Sequence, residues 1–142
     1  MVQKPSFVPL TGGCQCGAVR YEITAEPMTA ATCHCRDCQY ASGGAPAHAL
    51  LVAPEALRIL QGRAHEHSYM GDSGNTVMRS FCQHCGTPLF GGTQGAGYAI
   101  VKAGSLDDPE QFRARLGLWT ESAPSWHHID TTIPSFGRNS PG

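Results

Sequence analysis

A mainly β, single-domain fold with short helical turns is what this sequence predicts, and three observations carry the prediction. The 142 residues include 17 glycines and 10 prolines, a composition that favours many turns and short strands over long helices. Val19, Tyr21 and Ile23 alternate with Arg20, Glu22 and Thr24, the period of two expected of a half-buried strand. The other apolar runs are short and bracketed by turn-forming residues, as at Gly43-Gly44 and Gly71-Asp72-Ser73-Gly74-Asn75. The length suits one domain and is too short for two ordinary ones. With 41% hydrophobic residues, such a chain can bury roughly 68–70% of its unfolded surface.

Taken in order, the first strand spans residues 19–24 and ends at Pro27. A segment through Ala30 and Ala31 leads into Cys33, and residues 36–41 suit one helical turn, broken by Gly43-Gly44. Residues 48–52 read as a strand, and Ala53-Pro54-Glu55-Ala56 as a turn or short helix start. Further strands are predicted over 57–60, 66–70 and 76–81, with 89–90 and 98–103 continuing the pattern and 112–119 as the last. Residues 136–142 are rich in Gly, Pro and Ser and read as a flexible tail. There is no internal repeat and no low-complexity tract.

Charge excludes several function classes. Ten basic residues face 11 acidic ones for a formal net charge of −1, which does not suit a protein that binds nucleic acid by neutralising phosphates. No apolar run approaches the ~20 residues of a membrane span. Residues 1–13 hold one lysine and no long apolar stretch, so no secretory signal is expected and a cytoplasmic location is.

The seven cysteines define the chemistry. Cys14 and Cys16 form a C-x-C, Cys33, Cys35 and Cys38 a C-x-C-x-x-C, and Cys82 and Cys85 a C-x-x-C. An odd number cannot pair completely into intramolecular disulfides, and a cytoplasmic chain keeps its thiols reduced. Close-set thiolates on tight turns suit a tetrahedral, sulfur-preferring ion such as Zn²⁺. A buried cysteine that packs as a small hydrophobe is the blander alternative, but all seven fall in clusters. A thioredoxin-like role for Cys82 and Cys85 would need a βαβ setting, and the residues after Cys85 do not read as helical.

Cys82-Gln83-His84-Cys85-Gly86 resembles a zinc knuckle and needs two more ligands for a four-sulfur site. Cys14 and Cys16, flanked by Gly13 and Gly17, are the natural partners. Cys33, Cys35 and Cys38 would then supply three ligands to a second ion and leave one tetrahedral position open, the distinction between structural and catalytic zinc. Spacing also allows Cys33 or Cys35 to join Cys82 and Cys85.

The segments G-G-C-Q-C-G-A-V at residues 12–19, C-H-C-R-D-C at 33–38 and F-C-Q-H-C-G-T-P-L at 81–89 together resemble the glutathione-dependent formaldehyde-activating enzyme family, which is grouped with the centromere protein V domain. Gly104-Ser105-Leu106-Asp107 also resembles the family pattern. The resemblance spans about residues 10–120. It implies a zinc-bearing β-tent, shared with Rab-exchange-factor-like and methionine sulfoxide reductase B proteins. It further implies a domain over 10–135 between a 1–9 extension and the 136–142 tail. By the same resemblance Cys14, Cys16, Cys82 and Cys85 are structural zinc ligands, and Cys33, Cys35 and Cys38 hold a second, labile zinc associated with activity. The implied function is a carbon–sulfur lyase of the S-(hydroxymethyl)glutathione synthase type, with glutathione and formaldehyde as partners. A non-catalytic, zinc-stabilised binding module is the alternative.

Other residues rank lower as candidates. His34 and His84 sit inside the cysteine clusters, where an imidazole can ligate a metal or move a proton, but both are expected to point outward. His48, His65, His67, His127 and His128 read as surface or strand-face residues. Arg36 beside Asp37 reads as an exposed ion pair, with recognition of a substrate carboxylate as the other role. Trp119 and Trp126 read as core aromatics, with pocket lining as the alternative.

Overall fold

The computed structural model describes residues 9–71 and 74–139. Most of the expected N-terminal extension, two residues of the 71–75 turn and the last three residues of the expected tail lie outside the described residues. Among the described residues, ten strands form two sheets. The small sheet has the order β1-β2-β5, with β1 Leu10–Gly13, β2 Arg20–Ile23 and β5 Leu57–Gln61, all antiparallel. The large sheet contains β3 Thr29–Cys33, β4 Ala47–Val52, β6 His65–Met70, β7 Thr76–Phe81, β8 Pro88–Thr93, β9 Ala99–Lys102 and β10 Leu116–Leu118. Its order is β10-β3-β4-β9-β8-β7-β6, antiparallel throughout except that β10 runs parallel to β3. One α-helix, α1 Arg36–Ala41, follows β3. The expected mainly β fold is therefore observed, and among the described residues no helix is long and apolar enough to cross a membrane.

The alternation that marks β2 is also what builds the core. Tyr21 and Ile23 are fully buried, and between the sheets they meet Val52 of β4, Leu89 of β8 and Val101 of β9. Cys14 and Cys82 belong to the same apolar cluster. The Tyr21 ring packs edge-on against Phe90 with centroids 5.2 Å apart, a preferred aromatic geometry. Its hydroxyl lies 2.7 Å from Ser105 Oγ, which donates to the Lys102 carbonyl. Burial pushes the Tyr21 phenol up to about 12. At the rim of this junction Arg20 forks onto Asp107 at 2.9 and 2.5 Å.

Two expectations change. The strand predicted over 112–119 shrinks to Leu116–Leu118. Phe112 closes a 3₁₀ turn by bonding to Pro109, Arg115 bonds back to Ala30, and only three residues align with β3. Trp119, with φ 57°, then turns the chain away from the sheet. The segment through Ala30 and Ala31 is itself a full strand, and β1 precedes the first cysteine pair.

Gly12 marks where the two sheets touch, forming an isolated bridge with Leu106. A Cβ on Gly12 would overlap the Ser105 carbonyl oxygen and the Tyr21 hydroxyl. Gly12→Ala is therefore expected to destabilise by about 1–3 kcal/mol, the typical effect of overpacking. Gly104→Ala, where an added Cβ meets nothing within 4 Å, should stay within about 0.5 kcal/mol of the parent. Paired denaturant melts check this, and equal midpoints for the two variants would remove the argument.

Candidate metal centres

Four sulfurs meet at one end of the core. Cys14 and Cys16 lie in the turn after β1, and Cys82 and Cys85 in the turn joining β7 to β8. The two turns are built alike. In the first, the Cys14 N–H bonds to Val19 and the Gly17 N–H to Cys14; in the second, the Cys82 N–H bonds to Thr87 and the Gly86 N–H to Cys82. Gly17 and Gly86 take positive φ angles of 82° and 78°, which favour glycine because no Cβ is present. A bond from the Gln15 N–H to Thr87 Oγ1 joins the two turns.

All four Sγ atoms lie within 4.8 Å of one another. Cys14 and Cys16 are 3.6 Å apart, Cys16 and Cys82 3.7 Å. A tetrahedron of sulfurs about 2.3 Å from a central zinc has edges of about 3.8 Å, and a disulfide would need about 2.05 Å. The geometry therefore fits a four-sulfur metal centre. Backbone N–H groups point at the sulfurs, from Val19 to Cys14 at 3.2 Å and from His84 and Cys85 to Cys82 at 3.4 and 3.5 Å. Hydrogen bonds of this kind favour the thiolate form. The Thr87 hydroxyl and N–H bring Cys85 down to about 5.

The remaining three cysteines form a separate group whose Sγ atoms also lie within 4.8 Å of one another. Cys33 ends β3, Cys35 caps α1 by accepting from the Cys38 N–H at 3.4 Å, and Cys38 lies one turn into the helix. Hydrogen bonds from the Cys33 and Cys38 thiols bring Cys35 down to about 2, and the same contacts raise Cys33 to about 11 and push Cys38 up further. One sulfur thus takes negative charge at the expense of its neighbours. A cation among the three would stabilise every thiolate at once.

This group opens on a cleft of about 430 Å³. Its floor is one face of the large sheet, where Ala31, Ala47 and Ala49 are small enough to leave room beside Cys33. Lys102 and Ile100 of β9 project from the same face, and Tyr98 and Trp119 add to the wall. Sequence reasoning missed Lys102. The usable signal was its place two residues from Ile100, with the fully buried Val101 facing the other way.

Below the three cysteines the chain is clamped. Gln39 is buried, and its side-chain amide donates to the His34 carbonyl at 2.8 Å and the Ser122 carbonyl at 3.2 Å. His34 does not point outward as expected; it is 2% exposed, with Nδ1 2.9 Å from Nδ1 of His127. His127, expected on the surface, is 9% exposed for the same reason. His84, by contrast, is exposed. Arg36 does not take Asp37 as its partner; its guanidinium bonds to Gln39 Oε1 and lies over the Tyr40 ring. Neither tryptophan is a core residue. Trp126 is 69% exposed, and the Trp119 indole donates to Asn139 Oδ1 at 2.9 Å while its ring edges the cleft.

Comparison with known proteins identifies the family. The family model described as "glutathione-dependent formaldehyde-activating enzyme" matches residues 9–122, and the chain belongs to that family. A Halomonas elongata protein with the provisional name glutathione-dependent formaldehyde-activating enzyme is 25% identical over 128 residues, covering 86% of this chain and 82% of that protein. The crystal structure of a Rhodobacter sphaeroides protein superposes with a TM-score of 0.54 at 24% identity, over 68% of this chain and 87% of that one. At that identity the likeness concerns the fold alone.

Gln39→Leu would leave two backbone carbonyls under the cysteine group without their amide partner. An unsatisfied buried polar group costs about 1–3 kcal/mol, so the variant is expected to melt earlier by that amount. A melt that coincides with the parent would show that the clamp contributes nothing.

Proposed function

We propose that this protein is a zinc-dependent carbon–sulfur lyase-class enzyme that handles thiol–aldehyde adducts, with glutathione and formaldehyde as the pair implied by its family. Cys14, Cys16, Cys82 and Cys85 would hold a structural zinc, and Cys33, Cys35 and Cys38 a second, more readily lost one. The observation that carries this reading is a three-sulfur group, one ligand short of a tetrahedron, lying on a cleft. A scaffold would need only the four-sulfur centre.

In the reaction a C–S bond forms as the thiol sulfur adds to the aldehyde carbon, the C=O π bond breaks, and the thiol proton ends on the oxygen. The product from glutathione and formaldehyde is S-(hydroxymethyl)glutathione. When bound, zinc supplies Lewis acidity and favours the thiolate of a fourth ligand. That effect has a ceiling. A thiol of pKa ~8.5 is about 3% ionised at neutral pH, so full ionisation offers at most roughly thirtyfold. Lower pKa also reduces nucleophilicity, with a Brønsted slope of ~0.4–0.5. Holding the two reactants together matters more, because effective molarities can be very large. The alanine floor provides the room for that, and the wall of Tyr98, Ile100 and Trp119 shields the reacting atoms from water. Lys102, on the same sheet face as Cys33, is placed to meet a carboxylate of the thiol substrate.

Metal analysis tests the assignment of ligands. Two zinc equivalents per chain are expected, one removed by a mild chelator. Cys35→Ser should lose up to one equivalent while its melting transition stays largely intact. Cys82→Ser should be insoluble or unfolded, since structural zinc contributes roughly 10–16 kcal/mol in small peptides and a domain is stable by only about 5–15 kcal/mol. A soluble Cys82→Ser protein that melts cooperatively would sink the structural assignment.

The thiol role is tested by titrating the cobalt-substituted protein. Glutathione should alter the sulfur-to-metal absorption, and Lys102→Gln should raise the half-saturating concentration about tenfold, equivalent to 1.4 kcal/mol. No spectral change with any small thiol would favour the binding-module reading instead.

A further inference from the structure

One wall of the cysteine cleft is built from the end of the described chain. Residues 134–138 lie along β10, the edge strand next to β3. The Gly117 N–H bonds to the Pro134 carbonyl at 2.9 Å and the Phe136 N–H to the Gly117 carbonyl at 3.0 Å, so this segment runs parallel to β10. Past the strand the pairing continues: the Trp119 N–H bonds to Arg138, the Thr120 N–H to Phe136 and the Glu121 N–H to Gly137, at 3.0, 3.1 and 3.3 Å. Asn139 follows and lines the cleft. The whole strap lies beyond residues 9–122, the part matched to the family, so nothing in that match assigns it a role.

The strap holds Trp119 in an unfavourable conformation. At φ 57° and ψ 40° it is the only non-glycine residue with positive φ among the described residues. A side chain in this region crowds the following carbonyl oxygen. Such a residue persists only where its surroundings over-determine it, and such outliers cluster at functional sites. Here the surroundings are specific. The indole Nε1–H donates to Asn139 Oδ1 at 2.9 Å, and the Arg138 guanidinium, whose Nε lies 2.6 Å from Glu121 Oε1, sits over the ring at 5.6 Å. Both contacts to the ring come from the strap. The place of the ring matters because Leu118 is level with Cys33 in the β10–β3 pairing, and its carbonyl accepts from the His34 N–H at 3.0 Å. Trp119 is therefore the next residue after the one beside the first sulfur of the three-cysteine group.

We infer that residues 134–139 are a strap that sets the size limit of the cleft: Arg138 and Asn139 are positioning residues that hold the Trp119 indole beside the three-cysteine group, and Trp119 excludes thiols branched at the carbon that bears the sulfur. The inference rests on the proposed binding of a thiol at that group. The floor imposes no such limit, because Ala31, Ala47 and Ala49 are small. A sulfur that joins the group brings its carbon in through the cleft that the indole edges. A slim CH₂–SH arm, as in a cysteinyl peptide, passes the ring; methyl groups on that carbon meet it. The Arg138–Glu121 pair is exposed and adds little by itself, so the backbone bonds and Asn139 carry most of the hold.

The test uses cobalt-substituted protein carrying Trp126→Phe, which leaves Trp119 as the remaining tryptophan. The probes are N-acetylcysteine and N-acetylpenicillamine, which differ only by methyl groups on the carbon bearing the sulfur. Followed by sulfur-to-metal absorption, the parent should bind N-acetylcysteine at least about tenfold more tightly, and in Trp119→Gly that ratio should fall to about twofold, on the scale by which pockets discriminate small apolar groups. Glycine tolerates positive φ, so this variant should keep the parent's melt and metal content. Asn139→Ala should move Trp119 emission to longer wavelength and lower the ratio at unchanged metal content, whereas Asn139→Asp, which keeps an acceptor oxygen, should restore both. An equal ratio in the parent and Trp119→Gly would overturn the size limit. Unchanged Trp119 emission in Asn139→Ala would overturn the role of the strap in placing the ring. No spectral response to either thiol in any of the proteins would overturn the thiol reading itself, and this inference with it.

Discussion

The arrangement of the whole molecule depends on two short turns that must bring four sulfurs together. One follows the first strand, the other joins two strands of the larger sheet, and each is closed by a glycine with positive φ. Cys14 and Cys82 are also members of the apolar cluster between the sheets. Thus the sulfur centre and the core are one packing unit. This matters for a chain of this size, in which conformational entropy nearly cancels burial. Under the proposed zinc, the ion would tie the small sheet to the large one at the end where the Tyr21, Ser105 and Gly12 contacts also join them. Four thiolates around one divalent ion leave net negative charge, and the N–H groups of Val19, His84 and Cys85 are positioned to offset part of it.

The three-cysteine centre follows a different logic. Its ligands come from one short stretch, so bringing them together requires no long loop closure. What they require is a fixed local shape. The end of β3, the cap of α1 and the clamp by Gln39 and the His34–His127 pair supply it. Both Ser122 and His127 lie far along the chain, so the last third of the described chain holds the second centre in shape without supplying a sulfur to it. Under the proposed function, a centre made this way would exchange its ion while the rest of the domain stays folded. That separation of roles is what a structural and a substrate-binding metal would need in one small protein.

The large sheet separates two environments through the alternation of its side chains. On one face alanines open space beside sulfur and a lysine. On the other, aromatic rings and imidazoles enclose an apolar cavity. His34 lies between two cysteines of one face and turns its ring to the other. A change in the sequence at this position would therefore act on both faces.

By itself the sequence determined the fold class, the family and the three local cysteine clusters, because period-two alternation, turn residues and cysteine spacing are local patterns. Val19, Tyr21 and Ile23 were legible as core from their alternation alone. The geometry of the four-sulfur centre was not, since spacing also allowed Cys33 or Cys35 to join Cys82 and Cys85; only the packing of the small sheet against the large one brought Cys14 and Cys16 to that turn. The tertiary structure likewise decided that His34 and His127 are buried together, that the Trp119 indole bonds at the edge of the cleft rather than in the core, and that residues 112–115 leave the strand predicted for them. Each of these depends on a partner far away in the chain: Gly44 for His127, Asn139 for Trp119, Ala30 for Arg115. A local pattern carries no information about such partners, because a histidine or tryptophan has the same propensity whether its neighbour in space is water or another ring.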